Sequence, residues 1–159
     1  MTIQYVIRAR YINAIAIMDY EEMVSEVSDD GTFGWILDHY PECIMITAGP
    51  AHEKPEEEIL FVNKYFEQMT GYSKQEALGE TPKMLQGEET SEHVIDKLTQ
   101  SLSEEGHFIG ETTNYRKSGE AYKVRWSVDA LKPTEDAGVT HWISIQRDMS
   151  DDPLTNGFL

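Results

Sequence analysis

The sequence predicts an α+β domain, a five-stranded antiparallel sheet with short helices on one face, and three observations carry that expectation. From Tyr122 to Ala130 apolar residues (Tyr122, Val124, Trp126, Val128, Ala130) alternate with Lys123, Arg125, Ser127 and Asp129. That period of two belongs to a strand with one buried face. Between Ser91 and Glu105, Val94, Leu98 and Leu102 recur every four residues with Ile95 alongside, the stripe of an amphipathic helix. Two apolar strands come first, several short helices follow, and three strands close the chain, an order that segregates helices from the sheet.

Each element has local signals. Residues 1–32 read as an N-terminal extension in which Ile7 to Met23 carries Tyr11, Ile12, Ile15, Ile17 and Met18, a pattern for a helix or a strand-to-helix segment; the extension is expected to be helical and to serve as an interface or a cap. Glu26 to Gly31 is a loop signal. Trp35 to Tyr40 gives a short helical turn ended by Pro41, and Cys43 to Thr47 an apolar strand. Ala48 to Glu58 is a polar loop, and Ile59 to Val62 a second strand. Asn63 suits the N-cap of a helix whose Val62, Phe66 and Met69 share one face, with Gly71 as its stop. Ser73-Lys74-Gln75-Glu76 has the form of a capping box. Phe108 to Arg116 is a strand leading into a Lys117-Ser118-Gly119-Glu120 turn, and His141 to Asp148 is the last strand. The organisation is thus an extension over 1–32, a domain over 33–149 and a tail over 150–159.

Composition narrows the function. The 159 residues carry 13 Lys and Arg against 29 Asp and Glu, a net charge of −16. Such a surface repels phosphate backbones and anionic lipid, so neither nucleic acid nor membrane is expected as a partner. No apolar run approaches a membrane span, and Met1-Thr2-Ile3-Gln4 does not begin a secretory signal. Cys43 stands alone, which excludes an intramolecular disulfide and fits a reducing cytoplasm. There is no nucleophile elbow, P-loop or zinc-protease motif, so an enzyme is not expected.

The order of elements resembles the PAS fold, and several stretches resemble its light-oxygen-voltage (LOV) branch. These are Phe61-Val62-Asn63 with Met69-Thr70-Gly71-Tyr72-Ser73, then Asn114 to Gly119, then Ile145-Gln146-Arg147-Asp148. The likeness covers about residues 33–149. It implies a sensory module that signals through a homodimer or a partner protein. The branch's photochemical motif, G-x-N-C-R-F-L-Q, is matched by Gly79 to Gln86, where Gly79, Leu85 and Gln86 agree but Pro82 replaces the cysteine. The resemblance therefore implies no cysteinyl–flavin adduct at that position.

For a cofactor the resemblance implies a pocket lined by Asn114, Gln146, Gln86 and Lys83, with Trp126 and Trp142 on the same walls. Val124 replaces a second flavin-reading asparagine and Thr99 a phosphate-binding arginine. Alternation turns Thr112, Val124, Trp126, Val128, Trp142 and Ser144 inward with Asn114 and Gln146. Two inward tryptophans fill space, which favours core packing over a ligand chamber. The expectation is accordingly no bound cofactor, with FMN or FAD as the alternative and haem, through His93, behind both. No metal is expected, since His39, His52, His107 and His141 lack paired ligand spacing. Cys43 reads as a small core hydrophobe, and Glu53, Glu56, Glu57 and Glu58 as a solvated loop. Asp152-Pro153-Leu154-Thr155 resembles the opening of a diguanylate cyclase domain but follows Asp148 too closely for a connecting helix, and reads as chance.

Overall fold

Five apolar or alternating segments pair into one antiparallel sheet in the computed structural model, which describes residues 32–150 apart from Pro133 and Glu135. The strands are β1 (Cys43–Ala48), β2 (Ile59–Val62), β3 (His107–Tyr115), β4 (Ala121–Leu131) and β5 (His141–Asp148). Their order across the sheet is β2-β1-β5-β4-β3, so the first strand pairs directly with the last. The apolar segment Ile7 to Met23 and the tetrapeptide beginning at Asp152 lie outside the described residues.

Register decides which side chains share a face. Cys43 pairs with Gln146, Gln146 with Trp126, and Trp126 with Gly110, so these stand in one row across four strands. The next row runs Met45, Ser144, Val128 and Phe108. These rows form the inner face. Odd and even residues divide there as alternation requires, and Tyr122, Val124, Trp126 and Val128 are all buried.

Three of the helices lie over that inner face. Asn63 accepts a bond from the Phe66 amide and caps α2 (Lys64–Thr70), which ends at Gly71 in the left-handed region at φ 77°. Ser73 and Glu76 form the expected capping box of α3 (Lys74–Ala77). Ser91 caps α4 (Glu92–Glu104), whose Val94, Leu98 and Leu102 pack on Phe108, Trp126, Val128 and Trp142. Between α3 and α4 a 3₁₀ turn, Pro82–Leu85, adds an element the sequence reading lacks. Proline suits a first helical position because its missing N–H would be unpaired there in any case. Pro82 thus starts this turn.

The first helix among the described residues, α1 (Thr32–His39), sits differently. Its Leu37 packs with Ile44 on the opposite, outer face, with Ile46, Phe61, Ile143 and Ile145 around them. Two layers of apolar contact therefore sandwich the sheet along β1 and β5.

Two substitutions test this packing. Trp126 is 9% exposed and meets Phe108 at 5.5 Å between ring centroids. Trp126→Ala is expected to cost ~3–5 kcal/mol of unfolding free energy in a denaturant titration, and a loss below ~1 kcal/mol would place the ring outside the core. Asn63→Ala removes a cap and orphans buried backbone groups, so it is expected to cost about 3 kcal/mol or more. Asn63→Asp keeps the acceptors but sets a carboxylate against two carbonyls, and should be no better.

Candidate functional site

The inner face carries more polar capacity than its apolar packing uses. Thr112, Ser144 and Gln146 are buried there, and Asn114 is half-buried at its edge opposite Tyr122. Tyr122 Oη and Ser144 Oγ are buried without a hydrogen-bond partner among the described residues. Leaving a buried hydroxyl unpaired costs about 1–3 kcal/mol, so such atoms mark places where a ligand or water is accommodated. Burial pushes the Tyr122 phenol well above its ordinary value. Asn114 lies near enough to pull it the other way, yet no bond of standard geometry joins the two.

Gln146 is 4% exposed, and its amide makes no hydrogen bond among the described residues. It opens into a cleft of about 440 Å³ at the end of the sheet, below α2, with Cys43, Tyr65, Met69, Arg116 and Asp148 among its walls. Cys43 is directly across the strands from Gln146. Burial pushes its thiol far above the usual range, which keeps it neutral and a poor nucleophile.

One arginine ties the floor of this cleft together. Arg116 donates through Nη1 to the Met69 carbonyl at the end of α2 and through Nη2 to Asp148 Oδ2 at 2.5 Å. Its guanidinium carbon lies 4.5 Å from the Tyr122 ring centroid, a cation–π contact. Desolvation raises the Asp148 carboxyl, but the Arg116 hydrogen bond and charge together with the Ser150 hydrogen bonds outweigh it and hold the group below its ordinary value. This clamp has no signature in the residues alone. It joins residues 32 apart along the chain, with no local motif to advertise the contact.

The residues expected to line one pocket are divided by the structure. Trp126 and Trp142 are buried in the packing with α4. Gln146 faces the cleft, and Asn114 stands by Tyr122. Gln86 is exposed after the 3₁₀ turn, and Lys83 is exposed with its ammonium 4.0 Å from Glu57 Oε2. His93 lies on the exposed face of α4, and Thr99 bonds back to the Ile95 carbonyl. Lys54 pairs with Glu58 beside the acidic loop residues. Among the described residues no group of three or more His, Cys, Asp or Glu is placed to hold a metal ion, and no helix is long and apolar enough to cross a membrane.

The outer face is the other candidate surface. Ile46, Ile143, Ile145 and Phe61 are only partly covered there, and Ile109 is 66% exposed. Trp35 on α1 is 62% exposed, stacked on His39. A charged row, Glu42, Arg147, Arg125 and Glu111, borders the patch, with Arg147 bonded to Glu42 and Arg125 to Glu111.

Known proteins match this architecture. The bacterioopsin transcriptional activator of Halobacterium salinarum is 33% identical over 117 residues, 72% of this chain and 16% of that protein. A blue-light photoreceptor of Listeria monocytogenes is 31% identical over 98 residues, 62% of this chain and 38% of that protein. Among solved structures, the LOV domain of a blue-light activated histidine kinase from Erythrobacter litoralis is 28% identical with a TM-score of 0.64, covering 70% of this chain and 99% of that one. The chain thus spans well under half the length of these curated relatives, while matching nearly all of an isolated sensor domain. A family model described as PAS domain matches residues 41–151. With its five-stranded antiparallel sheet in the order β2-β1-β5-β4-β3, this chain belongs to the PAS domain family.

Proposed function

We propose that this PAS module senses through a small ligand or a protein contact and does not operate by cysteinyl–flavin photochemistry. The observation that carries this reading is the packing of Trp126 and Trp142 with Phe108, Val94, Leu98 and Leu102, between the sheet and α4. An isoalloxazine ring needs that space free. The exposed positions of Lys83 and Gln86 support the same conclusion, because a phosphate and a ring edge need convergent donors. The residues present do not fit a full-size flavin between the sheet and α4. Pro82 supplies no thiol, and the one thiol of the chain, Cys43, is on β1 beside Gln146. Input then belongs to the cleft at Gln146, or to the outer face, and no catalytic step is assigned to the chain.

Flavin binding is the second reading. Unpaired Tyr122 Oη and Ser144 Oγ, and the unspent Gln146 amide, favour some ligand on the inner face. Relatives named as blue-light photoreceptors lend this weight. Haem through His93 has no support of this kind, since the imidazole lies on the exposed side of α4.

Output is assigned to the outer face. The partly covered isoleucines and the exposed Trp35 make a surface that favours burial against a second copy, and the sequence of the extension supplies further apolar residues (Ile12, Ile15, Ile17, Met18) for such an interface. The setting proposed for the module is the cytoplasm, where its lone thiol stays reduced.

Two measurements test these assignments. Chain incubated with FMN and then desalted should retain no stoichiometric visible absorbance, and blue light should produce no reversible bleach. Retained flavin would establish the second reading. A bleach lost in Cys43→Ser would assign adduct chemistry to that thiol and overturn the first. By light scattering at several concentrations the full chain should be a homodimer, and a chain lacking residues 1–30 should shift toward monomer. If both are monomers, the extension is no dimer interface.

A further inference from the structure

The β1–β2 loop (49–58) and the β4–β5 loop (132–140) are zipped together at the end of the sheet opposite the cleft. The Gly49 amide donates to the Thr140 carbonyl at 2.8 Å, and the Ala51 amide to the Val139 carbonyl at 2.9 Å. The approach is close enough that a Cβ at Gly49 would stand 2.6 Å from the Val139 oxygen. The β1–β2 loop and the first residue of β5 each bring one imidazole to this contact. His52 and His141 meet edge to face, their ring centroids 4.8 Å apart and their planes at 74°.

We propose that this histidine pair is a proton-operated catch: with both rings neutral it holds the two loops together, and protonation releases them. The hydrogen bonds fix the neutral tautomers. His52 Nδ1 lies 2.9 Å from the Lys54 amide, which donates to it, so the neutral ring carries its proton on Nε2. A second proton must go on Nδ1, where it turns an acceptor into a donor facing that N–H. The turn hydrogen bond is lost as the charge arrives. His141 Nδ1 is 3.0 Å from Thr140 Oγ1, which itself donates to the Leu131 carbonyl. That nitrogen therefore donates to the hydroxyl, and the second proton of this ring goes on Nε2. Two cations then face each other across the loop contact.

None of the ion pairs among the described residues includes either imidazole. On the first loop Lys54 is paired with Glu58 and Glu57 with Lys83, leaving Glu53 and Glu56 exposed to solvent. The second loop brings Lys132 and Asp136, with Glu135 outside the described residues. Near the end of β4, Asp129 is taken by His107. Desolvation first, and the neighbouring His52 second, lower the His141 imidazole below its ordinary value. The sign follows. The neutral His141 ring contributes its full stability above the ordinary imidazole value near 6.5, and loses it as pH falls through its lower folded value.

The catch stands whether or not the module holds a ligand, and amide hydrogen exchange on the full chain tests it. Protection at Gly49 and Ala51 is expected to fall about tenfold or more between about pH 7.5 and about pH 5, after correction for intrinsic exchange, while β4 amides keep theirs. His52→Asn retains a side-chain acceptor for the Lys54 amide but takes no proton, and His141→Gln removes the second cation. In each variant the fall should shrink to about twofold or less. Unchanged protection in the wild type overturns the proposal. So does an equal fall in both variants, or a parallel loss throughout β4, which would mean that acid loosens the chain by another route.

Discussion

The amide of Asn63 is the joint on which the first half of the domain depends. It is 1% exposed and makes four hydrogen bonds, two in each direction. Its oxygen accepts from the Ile44 amide at 3.0 Å and the Phe66 amide at 3.1 Å. Its nitrogen donates to the Leu37 carbonyl at 3.0 Å and the Glu42 carbonyl at 2.8 Å. One planar group therefore ends α1, positions the start of β1 and begins α2. Asparagine alone offers this pattern at this length, since aspartate has no donor and serine too few. With the cost of an unmade buried hydrogen bond exceeding the gain from a made one, the arrangement fixes geometry more than it adds stability.

What Asn63 positions is the sheet end where the cleft lies. Glu42, whose carbonyl it holds, precedes Cys43, and Cys43 stands across from Gln146. Arg116 closes the same region from the other side by joining the end of α2 to the end of β5. A shift of α2 on ligand binding would pull directly on Asp148, two residues from the last described position. The cleft is thus mechanically close to the start of β1 and the end of β5, whereas Trp126 and Trp142 are packed between the sheet and α4.

Charge separates the two sheet faces functionally. The chain carries −16, yet the border of the outer apolar patch is a row of paired opposite charges. Exposed pairs contribute little to stability, on the order of 0–1 kcal/mol, but they keep the patch free of uncompensated charge. An apolar surface so framed can meet a second copy without bringing like charges into contact.

The strands, the helix caps and the inward alternation were legible in residues alone, because periodicity, capping boxes and glycine stops act over a few positions. The Tyr122–Ala130 alternation gave the inner face, and Asn63 and Ser73 gave two helix starts that the structure retains. The family was legible too, from short motifs in the right order. Three things were decided only by the fold. Leu37 turns to the outer face because Asn63 binds its carbonyl, a contact across 26 residues. The expected pocket divides because β-register sets Gln146 beside Cys43 while the turn at Pro82 leaves Lys83 and Gln86 in solvent. His52 and His141 become neighbours because β1 pairs with β5, bringing together loops some ninety positions apart. Local rules determine elements; which of their side chains meet is a property of pairing between distant strands, and no short window of sequence contains it.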